Sequence, residues 1–147
     1  MSIWFHELSD DLLGQLGGGM ERHIGIKFTE FGPDFIRGTM PVDERTKQPY
    51  GLLHGGANVV LAETLGSVGA SLTIDRSKFF SVGVEVNANH LRSATKGEVT
   101  GTARPIHMGR SLHVWGIEIV NDDNKLTCIC RLTVAIREIT ENSRINS

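Results

Sequence analysis

The sequence predicts an α+β protein in which an antiparallel sheet wraps around one long central helix. Between Tyr50 and Leu72, apolar side chains recur at a spacing near 3.6 residues, which is typical of a helix. Between Ser81 and Ile136, apolar and polar residues alternate in four segments, which is typical of strands. The sequence thus contains one long helix and several strands that are connected by short turns. Such an order of elements favours a sheet that covers the helix.

The residues before the central helix predict a short helix and a hairpin. Ser9 precedes two aspartates and several leucines, which indicates a capped amphipathic helix that ends at the glycines 17–19. From His23 to Met40, apolar residues alternate on both sides of a Gly-Pro-Asp turn signal at 32–34, and two strands are expected. A polar connection over residues 41–51 then leads into the central helix.

Four strands are expected after the helix. Turn signals at residues 94–97, 108–110 and 121–124 separate them. The alternating segments are Ser81 to Leu91, Gly97 to Ile106, Leu112 to Val120 and Leu126 to Ile136. Strands joined in this way predict an antiparallel meander, and the early hairpin completes the same sheet. The polar tail, residues 141–147, is expected to fray.

Composition bounds the class of protein. The 147 residues have the usual size of one compact domain, so a single domain over residues 1–147 is expected. Because 15 Lys and Arg residues are set against 17 Asp and Glu residues, the composition disfavours a nucleic-acid partner. The chain start lacks the pattern of a secretory signal and no apolar run reaches ~18 residues, which predicts a cytoplasmic protein without a membrane span. Cys128 and Cys130 lie two residues apart on a strand and are expected to be reduced thiols.

Glu63 is the one carboxylate in the predicted central helix. The apolar stripe of this helix consists of Leu61, Leu65, Val68 and Leu72. Glu63 lies two residues from Leu61, about 200° around the helix, and therefore points away from that stripe. Its neighbours one and two turns along, Gly66, Ser67 and Ala70, are small, so another backbone or a slender ligand can approach the carboxylate. Because an unpartnered buried carboxylate is costly, a functional role is indicated. The alternative is a solvated residue on an exposed helix face.

The start of the helix offers a different chemistry. Unpaired N–H groups and a partial positive charge lie at a helix N-terminus, and Gly55-Gly56 leaves them accessible, which is an oxyanion hole in outline. Gly55 and Glu63 are eight residues apart, or ~12 Å along the helix axis, so one carbonyl cannot touch both. If both serve one reaction, the acid comes from an antiparallel second copy, and a homodimer is predicted. His54 is alternatively an ordinary capping residue, and paired glycines also occur in turns.

Segments 48–56 and 62–67, which read QPYGLLHGG and AETLGS, resemble the hotdog-fold acyl-CoA thioesterases. Within that family they are most similar to the branch that contains the 1,4-dihydroxy-2-naphthoyl-CoA hydrolase of menaquinone biosynthesis and the proofreading thioesterase of enterobactin synthesis. Segments 40–49, 85–92 and 105–110 extend the match, which covers roughly residues 20–137. The resemblance implies a hotdog fold and hydrolysis of an acyl-CoA.

The resemblance also implies roles for five catalytic positions. Glu63 is the carboxylate that attacks the thioester carbonyl or activates water, and the Gly55 N–H polarises that carbonyl. Gln48 and His54 position the thioester and the carboxylate, and Ser67 assists beside Glu63. In this family Glu63 and Ser67 face the other three residues across a subunit interface, and dimers commonly pair into tetramers.

A second group of residues resembles the family's surface for the nucleotide end of coenzyme A. It consists of His90, Arg92, Met108, Gly109 and Arg110. Arginine suits phosphate recognition because its planar guanidinium makes charge-assisted hydrogen bonds. Alternatively, both arginines are solvated charges at strand ends.

The leading functional hypothesis is hydrolysis of an aryl-acyl-CoA, such as 1,4-dihydroxy-2-naphthoyl-CoA or benzoyl-CoA, with no cofactor beyond water. His23, His107 and His113 lack the spacing of a metal site, so no metal is expected. No G-x-S-x-G elbow is present, which disfavours a serine hydrolase. Two alternatives are a hotdog-fold dehydratase of 3-hydroxyacyl thioesters and a non-catalytic acyl-CoA-binding module.

Overall fold

The computed structural model describes residues 1–141. A 3-10 helix at Asp10–Gln15 precedes two α-helices, α1 (Gly19–His23) and α2 (Gly55–Leu72). The strands are β1 (Lys27–Phe31), β2 (Ile36–Pro41), β3 (Phe79–His90), β4 (Glu98–Met108), β5 (Leu112–Val120) and β6 (Leu126–Glu138). The predicted frayed tail lies, apart from residue 141, outside the described residues.

All six strands form one antiparallel sheet in the order β1-β2-β4-β5-β6-β3. The predicted meander is confirmed for β4, β5 and β6 but is wrong for β3, which pairs with β6 instead of β4. Both edges of β4 are already hydrogen-bonded, one to β2 and one to β5, so β3 bonds to the free edge of β6. The register places His90 opposite Cys128. This crossover makes the twelve-residue β3 an edge strand.

Helix α2 packs across the sheet through the predicted apolar stripe. Leu61 and Leu65 are fully buried, whereas Val68 is half-buried. Gly38 and Gly101 lie opposite each other on β2 and β4, and a Cβ at either would lie within 2.9 Å of a Leu65 methyl carbon. The two glycines therefore form a recess for the Leu65 side chain.

The N-terminal segment differs from the prediction. The segment after Ser9 forms a 3-10 helix without buried residues, and the Ser9 side chain makes no capping hydrogen bond. Leu12, Leu13 and Leu16 pack against the core but stay only half-buried, and a short helix needs more burial than this to extend beyond a turn or two. The first strand begins at Lys27 rather than near His23, because α1 occupies Gly19–His23.

Candidate active site

The N-terminus of α2 carries one open backbone donor. His54 is the N-cap residue, and its Nδ1 accepts a hydrogen bond of 2.8 Å from the Gly56 N–H. The Ala57 N–H donates to the His54 carbonyl at 3.0 Å. The Gly55 N–H has no hydrogen-bond partner among residues 1–141. It is therefore available to a ligand at the positive end of the helix.

Each of the two glycines at this end makes room for an imidazole. A Cβ at Gly56 would lie 2.9 Å from His54 Nδ1, and one at Gly55 would lie 2.9 Å from His90 Nε2. Neither glycine has a positive φ, so close approach, not backbone conformation, explains both. The contact between His90 and Gly55 was not predicted, because residues 35 positions apart meet only once β3 is placed in the sheet.

Gln48 lies beside the open donor. It lines a cavity of about 340 Å³ together with Gly55, His90 and Arg92. Its side-chain oxygen accepts a hydrogen bond from the Tyr50 N–H. Its amide nitrogen has no partner in the described part of the chain, so it remains able to donate to a carbonyl in the cavity.

Glu63 lies in the middle of α2 and is half-buried. Its Oε1 atom lies 2.7 Å from the place that a Cβ at Gly83 would occupy, so the carboxylate faces edge strand β3. Ser67 is one turn further along the same helix, and within residues 1–141 it makes no hydrogen bond to Glu63. Because Gly55 and Glu63 share α2 at a separation of eight residues, they lie ~12 Å apart along its axis.

Edge strand β3 exposes apolar side chains on either side of Gly83, the residue that Glu63 faces. Val82 and Val84 are 49% and 61% exposed. A bulge between Gly83 and Glu85 interrupts the pairing with β6 at the same place. A long exposed strand with apolar side chains is a template for pairing with another chain.

The five residues of the predicted nucleotide surface fall into two groups. His90 and Arg92 end β3, whereas Met108–Arg110 forms the turn between β4 and β5. The strand pairing aligns residues in rows across the sheet. His90 lies in the same row as Ile119 of β5, and Met108 lies in the same row as His113 of β5. Those rows are six residues, or ~20 Å, apart. One chain alone therefore does not bring the two groups together.

A buried histidine, His113, lies at the opposite end of the sheet from His90. His113 is buried and lines a cavity of about 380 Å³ with Arg110. Burial and the nearby His107 lower the pKa of His113 below its ordinary value of 6.5. Within residues 1–141, no three His, Cys, Asp or Glu side chains are placed to hold a metal ion.

The two cysteines lie side by side on β6, next to β3 in the sheet. Cys128 and Cys130 are buried and unbridged, with 3.5 Å between their sulfur atoms. Their hydrogen bond and burial raise the pKa of Cys130. Cys128 Sγ also lies 3.6 Å from His90 Nδ1, on the side of the ring that faces away from Gly55.

Comparison with known proteins identifies the family. The family model of the thioesterase superfamily matches residues 50–128. The 1,4-dihydroxy-2-naphthoyl-CoA hydrolase of Escherichia coli K12 is 47% identical over 91% of this chain and 98% of that protein. The proofreading thioesterase EntH of Cronobacter sakazakii is 43% identical over 91% of this chain and 98% of that protein.

A solved structure extends the similarity to three dimensions. The crystal structure of a mutant thioesterase from Pseudomonas aeruginosa has a TM-score of 0.90 at 46% identity, covering 94% of this chain and all of that chain. Among residues 1–141, no helix is both long and apolar enough to span a membrane. The fold, the family match and these relatives together show that the chain belongs to the thioesterase superfamily and is a hotdog-fold thioester hydrolase.

Proposed function

We propose that the protein hydrolyses an aryl-acyl-CoA, such as 1,4-dihydroxy-2-naphthoyl-CoA or benzoyl-CoA, to the free acid and coenzyme A. The observation that carries the proposal is the open Gly55 N–H at the start of α2, together with a half-buried Glu63 that faces the exposed edge of the sheet. The hydrolase from Escherichia coli supports the substrate class by its name. A place in menaquinone biosynthesis follows if the substrate is the naphthoyl ester.

The proposed chemistry assigns a role to each residue. The Gly55 N–H binds the thioester oxygen and stabilises the negative charge that develops there. If Glu63 attacks the carbonyl carbon, the C–S bond breaks to leave an acyl–Glu63 anhydride, and water then hydrolyses that anhydride to the free acid and the Glu63 carboxylate. If Glu63 instead takes a proton from water, the water attacks the carbonyl carbon and the C–S bond breaks to give the acid directly. In both routes the thiolate of coenzyme A takes up a proton. Gln48 and His54 orient the thioester, and Ser67 supports the carboxylate or the water. Water is the only co-reactant, so no cofactor is required.

The proposal requires two chains. Since Gly55 and Glu63 lie ~12 Å apart along one helix, a single carbonyl reaches both only if they come from different subunits. Pairing of two β3 edges would extend the sheet, cover Val82 and Val84, and set two α2 helices antiparallel. The same arrangement would let Arg92 of one subunit act with Met108, Gly109 and Arg110 of its partner on the coenzyme A moiety. Two such dimers would pair into a homotetramer, in the cytoplasm.

Substitution of Glu63 tests the function. We expect Glu63→Gln to lower the turnover of benzoyl-CoA or 1,4-dihydroxy-2-naphthoyl-CoA by ~10²-fold or more, measured as release of free thiol. Glu118→Gln, on an exposed position of β5, is the matched control and keeps the wild-type rate. An unchanged rate in Glu63→Gln rejects the mechanism.

Two other outcomes identify the alternative functions. Addition of water to an enoyl thioester, without thiol release, would indicate a dehydratase. Stabilisation of the protein by an acyl-CoA without turnover, even at high protein concentration, would indicate a binding module.

A further inference from the structure

The environment of His90 is polar on one side of its ring and open on the other. Nδ1 lies 3.4 Å from the Asn58 amide nitrogen and 3.6 Å from Cys128 Sγ. On the other side, Nε2 occupies the space that a side chain at Gly55 would fill. His90 is exposed and lines the same cavity as Gln48 and Gly55.

The contact with Asn58 favours one tautomer of this ring. An amide nitrogen only donates hydrogen bonds, so the contact of Asn58 with Nδ1 favours the tautomer of His90 in which Nδ1 accepts. A neutral imidazole that accepts at Nδ1 carries its proton on Nε2. In that tautomer the donor of His90 is on the edge that lies against Gly55.

Packing alone does not account for an asparagine at position 58. Asn58 is 5% exposed, and its side-chain oxygen is buried without a hydrogen-bond partner among residues 1–141. Burial of an unpaired polar atom is unfavourable, and an apolar side chain would avoid it. The orientation of His90 is the one interaction in the described chain that the amide nitrogen provides.

We propose that His90 is a second hydrogen-bond donor to the thioester oxygen, beside the Gly55 N–H, and that Asn58 is the residue that positions it. This inference rests on the proposed function. Two converging donors stabilise an oxyanion more than one does, and a neutral imidazole donates without adding a charge that solvent must compensate. If Gly55 holds the carbonyl, a ring in contact with Gly55 meets the reacting end of the substrate. His90 then acts in the chemical step rather than at the nucleotide end.

Amide replacements of His90 test the position of the donor. The amide nitrogen of Gln can take the place of Nε2, whereas that of Asn takes the place of Nδ1. We expect His90→Asn to lower kcat by ~10²-fold with little change in KM, and His90→Gln to recover most of that loss. His23→Asn, at the exposed end of α1, is the matched control and keeps the wild-type kcat.

A spectroscopic measurement tests the role of Asn58. Nitrogen-15 NMR of His90 is expected to show the Nε2–H form in the wild-type protein and loss of that preference in Asn58→Leu, with kcat reduced by ~10-fold. A wild-type spectrum with the proton on Nδ1 overturns the positioning role even if Asn58→Leu does not fold.

The outcomes separate this inference from the proposed function. If the wild-type protein releases no thiol from any acyl-CoA, the proposed function fails. If the wild type is active and Glu63→Gln is not, but His90→Asn retains its kcat, only the role of His90 fails. A rise in KM alone would assign His90 to substrate binding and would also overturn its role in the chemical step.

Discussion

At the scale of single residues, the candidate site depends on places where a side chain is absent. Gly55 and Gly56 each leave room for an imidazole edge, and Gly83 leaves room for the Glu63 carboxylate. In all three positions the nearest atom is a nitrogen or oxygen of a candidate functional side chain. A methyl group at any of them would move that side chain rather than strain the backbone.

Gly83→Ala is therefore expected to impair catalysis more than stability. Its Cβ would lie 2.7 Å from Glu63 Oε1 and would displace the carboxylate. Misplacement of a catalytic group by about 1 Å costs up to ~10²-fold in rate, and we expect kcat to fall toward that value with little change in Tm. Gly14→Ala, where no atom lies within 4 Å of the new Cβ, is the control. A full wild-type kcat in Gly83→Ala would show that the carboxylate is free to move.

His113 gives the fold a dependence on pH. Its pKa is lowered in the folded state, chiefly by burial, so the unfolded chain binds the proton more tightly. The contribution of neutral His113 to the free energy of unfolding is fully present above pH 6.5, the ordinary pKa of the group. It is lost as the pH falls from 6.5 through the lowered pKa of the folded state.

We expect the wild-type Tm to fall between pH 7 and pH 5, and His113→Gln to show a smaller fall over the same range. Replacement of the exposed His6 by Gln is the control and leaves the fall unchanged. An equal decrease in the wild type and His113→Gln would assign the pH dependence to other groups.

At the scale of elements, the contact between α2 and the sheet is specified by the recess of Gly38 and Gly101. The recess receives Leu65, whose position on the helix fixes which face of α2 is buried. Glu63, two residues earlier, is then directed toward β3. The packing that stabilises the helix thus also aims the carboxylate.

A double-mutant cycle tests this recess. Gly101→Ala places a Cβ 2.7 Å from a Leu65 methyl carbon, and we expect it to destabilise the fold by about 1–3 kcal/mol. Leu65→Ala alone is expected to cost about 2–5 kcal/mol. The double variant should cost less than the sum, because the new methyl group occupies part of the vacated space. Denaturant unfolding measures all three values, and strict additivity would contradict the contact.

At the scale of the whole molecule, the proposed site belongs to a pair of chains. The edge that β3 exposes is also the surface that Glu63 faces. In the proposed dimer, pairing of the subunits would also complete the site.

Complementation between two inactive variants tests the shared site. In a heterodimer of Glu63→Gln and Gln48→Ala chains, one site carries both substitutions and the other carries neither. We expect such a heterodimer to recover about half the wild-type activity. The homodimers of each variant, measured separately, are the controls, and no recovery would place the site within one chain.

A charge on β3 tests the interface itself. Val84→Lys is expected to yield monomers in analytical ultracentrifugation with at least ~10²-fold lower kcat, because a lysine on an edge strand blocks strand pairing. The control is Met20→Lys, which places a lysine on α1 at a position where the methionine side chain is 61% exposed. A monomeric Val84→Lys protein with full activity would refute the two-chain site.

Much of this molecule could be predicted from its sequence, and what could not be predicted has a physical reason. Periodicity locates α2 and most strands, because local burial patterns carry that information. The position of β3 could not be predicted, since alternation shows which face of a strand is buried but not which neighbour it has. The contacts of His90 with Gly55 and Asn58 depend on that position. The polar residue Asn58 within an apolar helix was the one signal that could have indicated them.

The location of β3 at the edge of the sheet has a consequence for how the protein behaves on dilution. If turnover requires two β3 edges to meet, the rate per chain will fall once the protein concentration drops below the dissociation constant of the dimer. Specific activity would then depend on how much of the protein a cell makes, and not only on its substrate.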